Sequence, residues 1–215
     1  MGKLIRVLFT VLFVFGVTYS FGDSSNWVLK RNESGIKVYS KCIAGSNLKE
    51  VRAVNTVKSS LSGIVGLLLD TKNYVKWIYR CSEAKTLKII NSRELYIYQI
   101  TSVPWPFDNR DVVTHLKITQ DSLTKVVTIN STSASEYVPD IAGIVRVKEF
   151  NSIYTLTKLS SDSVKIEYEL YTNPGGDVPA WLINANIVEG PYTTTINMIK
   201  QLSQYQSATY SFIKE

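Results

Sequence analysis

From residue 164 to residue 171 apolar and polar side chains alternate without a break. Val164, Ile166, Tyr168 and Leu170 share one face of an extended chain, and Lys165, Glu167, Glu169 and Tyr171 share the other. Such a pattern predicts a strand with one side covered and one side wet. Residues 111–119 repeat it, with Val112, Thr114, Leu116 and Ile118 inward and His115 and Lys117 outward. Further strands are predicted at 37–43, 48–57, 84–90, 94–103, 125–131 and 145–158, the first two joined by the Gly45-Ser46-Asn47 turn of a hairpin. The period then changes in three places. Ser59 or Ser60 caps a helix with Leu61, Ile64, Val65 and Leu68 on one face, and a short helix at 70–78 holds Tyr74, Val75, Trp77 and Ile78. Residues 172–202 read as a turn, Asn173-Pro174-Gly175-Gly176, followed by a long helix with Asp177 as N-cap and Pro179 in its first turn. Along that helix Trp181, Ala185, Val188, Tyr192, Ile196, Ile199 and Leu202 draw one apolar stripe, and Pro191 is expected to bend it in mid-course. Consecutive strands with helices kept to the middle and the end make an α+β fold on an antiparallel sheet.

The 215 residues are 45% hydrophobic and 20% charged, which suits one folded domain. Residues 1–22 read as a secretory signal peptide: Lys3 and Arg6 precede an apolar run at 7–17, followed by the small residues Thr18, Ser20 and Gly22. The run is shorter than the ~20 residues that a membrane span requires. The expected domain is therefore 23–215, exported, and periplasmic if the host is Gram-negative. Loss of Lys3 and Arg6 with the leader would reduce the net charge of +6 to +4. A bias so mild and diffuse suits approach to an anionic membrane surface and gives no footprint for nucleic acid. Cys42 and Cys81 are the only cysteines, and both a disulfide and two buried thiols are open readings in an exported chain.

Five landmarks in order resemble START domains, the lipid-transfer domains of helix-grip fold. Trp27 to Val38 (WVLKRNESGIKV) is similar to the family's opening, and Trp77 matches the tryptophan that ends its helix pair. Pro104-Trp105-Pro106 followed by Arg110-Asp111 resembles its Pro-Trp-Pro corner, and Pro139 with Val145-Arg146 its later proline and Val-Arg. The segment PGGDVPAWLIN before a long amphipathic helix completes the set across roughly residues 26–205. The resemblance implies a curved antiparallel sheet closed over a hydrophobic cavity by the C-terminal helix.

It also implies a function: binding a lipid, sterol or other hydrophobic molecule in that cavity, with transfer as its use and transient membrane contact at delivery. Burial of each CH₂ contributes about 0.8 kcal/mol, and a few polar groups select the head. Arg110 and Arg146, with Asp111, are the candidate polar groups. Ile166, Tyr168 and Leu170 from the strand, and Trp181, Ala185, Val188 and Tyr192 from the helix, are the candidate lining. The C-terminal helix, or a loop such as 135–143, is the expected gate, with Gly175 and Gly176 as hinge. No cofactor or metal is expected. His115 is the only histidine, and the sequence contains no Gly-x-Ser-x-Gly, P-loop or dinucleotide fingerprint. A carrier rather than an enzyme is expected; a cyclase-type enzyme on a hydrophobic substrate and a non-catalytic interaction scaffold are the alternatives.

Overall fold

Ten strands form one sheet, and four helices cover one of its faces or run beside it. The computed structural model describes residues 26–215, so the leader expected at 1–22 and the domain boundary at 23 lie outside the described residues. In chain order the strands are β1 (Val28–Glu33), β2 (Ile36–Cys42), β3 (Lys49–Lys58), β4 (Cys81–Asn91), β5 (Glu94–Thr101), β6 (Asn109–Gln120), β7 (Val127–Ser133), β8 (Ile144–Arg146), β9 (Glu149–Lys158) and β10 (Ser163–Asn173). The helices are α1 (Leu61–Leu69), α2 (Tyr74–Trp77), α3 (Ala180–Asn186) and α4 (Glu189–Gln201). Spatially the order is β1-β2-β3-β10-β9-β7-β6-β5-β4, all antiparallel, and β8 adds a short parallel pairing to β6. The α+β class expected from the alternation is the one that forms.

The alternation of β10 is spent where expected. Val164 and Ile166 are fully buried, and in register Ile166 lies between Asn55 of β3 and Leu156 of β9, while Tyr168 lies between Ala53 and Tyr154. The main core joins these side chains to α1, Trp77, Met198 and Leu202.

Helix α1 is apolar on every side because it is packed on every side. Ser60 caps it, its hydroxyl accepting from the Gly63 N–H at 2.9 Å. A Cβ on Gly63 would lie 3.1 Å from the Tyr205 carbonyl oxygen, and one on Gly66 would lie 3.1 Å from the Ala208 Cβ, so the two glycines let the chain after α4 approach closely. The Glu215 carboxylate returns to the same helix and accepts from the N–H groups of Leu61 (3.0 Å) and Ser62 (2.9 Å). Burial would raise the pKa of this carboxyl, but the bonds from Ser62 and Leu61 outweigh burial and hold it below the usual glutamate range. A depressed folded pKa contributes stability above the unfolded value, about 4.3, and that contribution is lost as pH falls through the folded value. Glu215→Gln is therefore expected to cost roughly 0.5–1 kcal/mol near pH 7, limited by the exposure of the side chain. Urea unfolding of both proteins down to about pH 2 should bring the two curves together; a constant gap would refute the assignment.

Four expectations are corrected. Residues 28–33 form a strand, β1, not anticipated from the charged stretch after Trp27; it pairs with β2 through a register shift between Leu29 and Arg31. The run 145–158 is divided by Val147 and Lys148 into β8 and β9, which pair with different partners. The long C-terminal helix is two helices. It starts only at Ala180, because Pro179 is extended (φ −62°, ψ 139°) and occupies the N-cap without a side-chain bond, leaving Asp177 exposed in the turn. It breaks at Ile187 and Val188, so Pro191 lies in the first turn of α4 rather than in mid-helix. Lacking an N–H, Pro191 cannot bond the Ile187 carbonyl, and its ring crowds that same group. Finally, Cys42 is exposed and Cys81 is buried, and both are free thiols. Burial pushes the Cys81 thiol up to about 11, which makes it an inert core group.

Candidate functional site

Where α4 and the turn before it, residues 187–188, meet β2, β3 and β10, a second apolar cluster lies beside the main core. Ile36, Val38, Val51, Ala53 and Tyr192 are buried there, and Tyr168, Leu170, Ile187, Val188 and Ile196 pack against them while keeping part of their surface accessible. Of the expected lining, Ile166 is in the sealed core, Tyr168 and Leu170 continue the same face toward the open end, and Val188 and Tyr192 meet them from the helices. Trp181 is 71% exposed and Ala185 is also exposed, so these two do not turn inward. Leu182 and Ile183 take half-buried positions on α3 instead, and Ile187 follows them in the turn before α4. A groove of about 440 Å³ opens where α3 meets the β2–β3 turn, lined by Leu48, Tyr171, Asn173, Val178, Ala180 and Ile183. Asn184 Nδ2 closes one side of it by donating to the Asn47 carbonyl at 2.8 Å.

The rim is held by Arg110. Register puts this residue on the same face of β6 as Val112, Thr114 and Leu116, and it is 5% exposed. Its guanidinium donates to the carbonyls of Pro174 (3.4 Å), Gly175 (3.3 Å) and Asp108. Burial without a bonded carboxylate lowers its pKa, which the charge of Asp108 opposes. Gly175 and Gly176 both have positive φ, 64° and 65°, and a Cβ on Gly176 would stand 3.1 Å from the Arg110 Nη2, so the turn requires glycine there. Arg110 thus ties the loop after β5, which bears Trp105, to the loop before α3, which precedes Trp181. Trp105 and Trp181, at 92% and 71%, are the two most exposed tryptophans.

Arg146 is on the opposite side of the sheet. Asp111 shares the face of β6 that carries Val113 and His115, and its carboxylate accepts from Arg146 Nε at 2.8 Å and Nη2 at 2.9 Å. The remaining N–H groups go to the carbonyls of Ser135 (2.6 Å), Val138 (2.9 Å) and Pro139 (3.1 Å). All five donors are engaged, and Arg146 has none to offer a ligand. The side chains are 2% and 1% exposed, and the carboxylate raises the arginine pKa. The same loop is fastened again where Tyr137 stacks on Tyr96 and Tyr96 on His115, with centroids 4.0 and 4.4 Å apart. His115 bonds Glu94 at 2.7 Å, and that bond holds the Glu94 carboxyl below its usual range.

One interior polar residue escapes a reading by motif. Asn55, 4% exposed, occupies the inward register of β3 between Ala53 and Val57, and neither its Oδ1 nor its Nδ2 has a hydrogen-bond partner among the described residues. The signal was present in the sequence as a polar side chain at an apolar position of an alternating strand. Among the described residues no group of three or more His, Cys, Asp or Glu is placed to hold a metal ion.

Comparison with known proteins agrees with this architecture. A family model described as START domain matches residues 21–208. An uncharacterized protein of Pseudomonas aeruginosa is 31% identical over 194 residues, covering 90% of this chain and 95% of its own. The phosphatidylcholine transfer protein of Mus musculus is 26% identical over 194 residues, covering 86% and 87%. The crystal structure of a STAR-related lipid transfer protein fragment from Xanthomonas axonopodis superposes with a TM-score of 0.78 at 31% identity, covering 85% of this chain and all of that one.

Proposed function

We propose, since the chain belongs to the START domain family, that it binds a lipid or a similar hydrophobic molecule on the apolar face beneath α3 and α4 and carries it between membranes. The observation that supports this most directly is the second cluster, in which Tyr168, Leu170, Ile187, Val188 and Ile196 converge yet stay partly uncovered. An inserted acyl chain or ring system would complete their burial at about 25 cal/mol per Å². The chain acts as a carrier rather than as an enzyme, and it is exported through the leader at 1–22.

The gate is α3. It is short, joined to the sheet through Gly175 and Gly176, and leads directly into Ile187 and Val188, so a swing of this one small element draws those two side chains off the apolar face. Residues 135–143 are too well fastened by Arg146 to serve. No helix among the described residues is long and apolar enough to cross a membrane. Contact with a bilayer is made instead by the exposed Trp105 and Trp181, whose amphipathic rings suit the headgroup region.

Native mass spectrometry of the chain, exported into a bacterial periplasm and purified without detergent, tests the reading. A stoichiometric adduct that extracts into organic solvent as one lipid class is expected. A bare mass that stays bare after incubation with mixed lipids and sterols would overturn it.

A further inference from the structure

We propose that Asn55 is the polar anchor of the bound molecule and that the group it takes is an uncharged hydroxyl, so that the ligand is a lipid with a free neutral hydroxyl, such as a sterol or a diacylglycerol, rather than one headed by phosphate. The inference rests on the carrier reading.

An amide in a strand interior costs stability unless both of its ends are bonded. At Asn55 both ends are without partners among the described residues, on a side chain 96% removed from solvent, where valine or alanine fills the neighbouring inward positions. Its place is the seam between the sealed core and the uncovered cluster. Val57 on one side belongs to the former, and Ala53 on the other to the latter. An acceptor and a donor side by side fit a group that does both, and a hydroxyl donates to Oδ1 while its oxygen accepts from Nδ2.

The surroundings carry no compensating charge. Buried charged residues among those described are Arg110, Asp111 and Arg146. The last two neutralise each other across the opposite face, and Arg110 lies on β6, four strand positions away in the order β3-β10-β9-β7-β6. That separation is about 19 Å along the sheet. What flanks Asn55 instead is the stacked pair Tyr154 and Tyr168, 4.3 Å between centroids, with Tyr168 diagonal to it across the β3–β10 register. Burial pushes both phenols above their ordinary range and keeps them neutral. A phosphate set here would lack a cation, whereas a hydroxyl requires none.

The test uses phosphatidylcholine vesicles doped in turn with a fluorescent sterol, a fluorescent diacylglycerol and a fluorescent phosphatidic acid, which has a phosphate and no alcohol hydroxyl, and measures uptake by the wild-type chain, Asn55→Leu and Asn55→Ser. Wild type is expected to prefer one of the two hydroxyl lipids, and which one identifies the source of the hydroxyl. Asn55→Leu should weaken that uptake by about tenfold while raising the melting temperature of the empty protein. Asn55→Ser, which keeps a donor and an acceptor, should retain the preference and guards against a leucine variant that fails to fold. A preference for phosphatidic acid, or uptake indifferent to both substitutions, would overturn the inference and leave the carrier reading standing. A loss of all uptake in step with a lowered melting temperature would mark Asn55 as merely structural and overturn it too. Uptake of no lipid by wild type would overturn the carrier reading itself.

Discussion

Asp111→Ala is expected to lower the unfolding free energy by about 3–5 kcal/mol, a large part of what a domain of this size possesses. The substitution leaves the Arg146 guanidinium charged, 2% exposed and without the two oxygens that now accept from Nε and Nη2. The carbonyls of Ser135, Val138 and Pro139 cannot replace a counter-charge. Arg146→Met should be nearly as costly, since it strands the Asp111 carboxylate and frees the strap at 135–143. Asp111→Ala combined with Arg146→Met should recover much of the loss, because removing both charges also removes their desolvation cost. Recovery should be incomplete, since three carbonyls lose their donor. Chemical denaturation of the four proteins as a double-mutant cycle measures this directly. A loss below about 1 kcal/mol for Asp111→Ala would show that the pair is not the fastening described.

The second large effect concerns transfer rather than stability. Replacing Trp105 and Trp181 together by alanine should slow lipid transfer between vesicles by roughly tenfold per ring, with little change in melting temperature. Both rings are mostly in water already, so their loss removes little from the folded state. Arg110 ties the loop that bears Trp105 to the turn that leads into α3 through the carbonyls of Asp108, Pro174 and Gly175, and the proposed contact surface takes in both rings. Equilibrium binding of ligand from solution should be unaffected, which separates docking from affinity. Transfer at the wild-type rate would eliminate these residues as the membrane contact and leave the apolar face beneath α3 as the sole element of the mechanism.

Most of the sheet was legible before any coordinates. Alternation in β6 and β10 is a local property, since successive side chains point to opposite faces wherever a strand is extended. The Ser60 cap of α1 was legible for the same reason, as its bond spans three residues. The Pro104-Trp105-Pro106 corner, the Arg110-Asp111 pair and the PGG turn belong to the same class, because each depends on backbone restrictions of its own few residues.

What depended on partners distant in sequence was not legible. The strand β1 is itself the charged stretch after Trp27 and exists because β2 offers it an edge. The helical stripe from Trp181 to Leu202 fits one ideal helix, yet the helix is interrupted at Ile187 and Val188, and only from there on do the stripe residues Val188 and Tyr192 meet the sheet while Trp181 and Ala185 stay in solvent. Arg110 and Arg146 looked alike as isolated arginines; only the folded sheet set one against the carbonyls of the turn before α3 and sealed the other with Asp111 on the far face. Asn55 was visible as a polar residue in an apolar register, but that both ends of its amide face unbonded surroundings is a fact of packing. The sequence by itself determined the elements, their inward faces and the family, because propensity and periodicity act within a few residues. Which faces meet, which charges cancel and which apolar side chains stay uncovered for a ligand was decided by the tertiary structure, because burial and ion pairing are set by residues brought together from opposite ends of the chain.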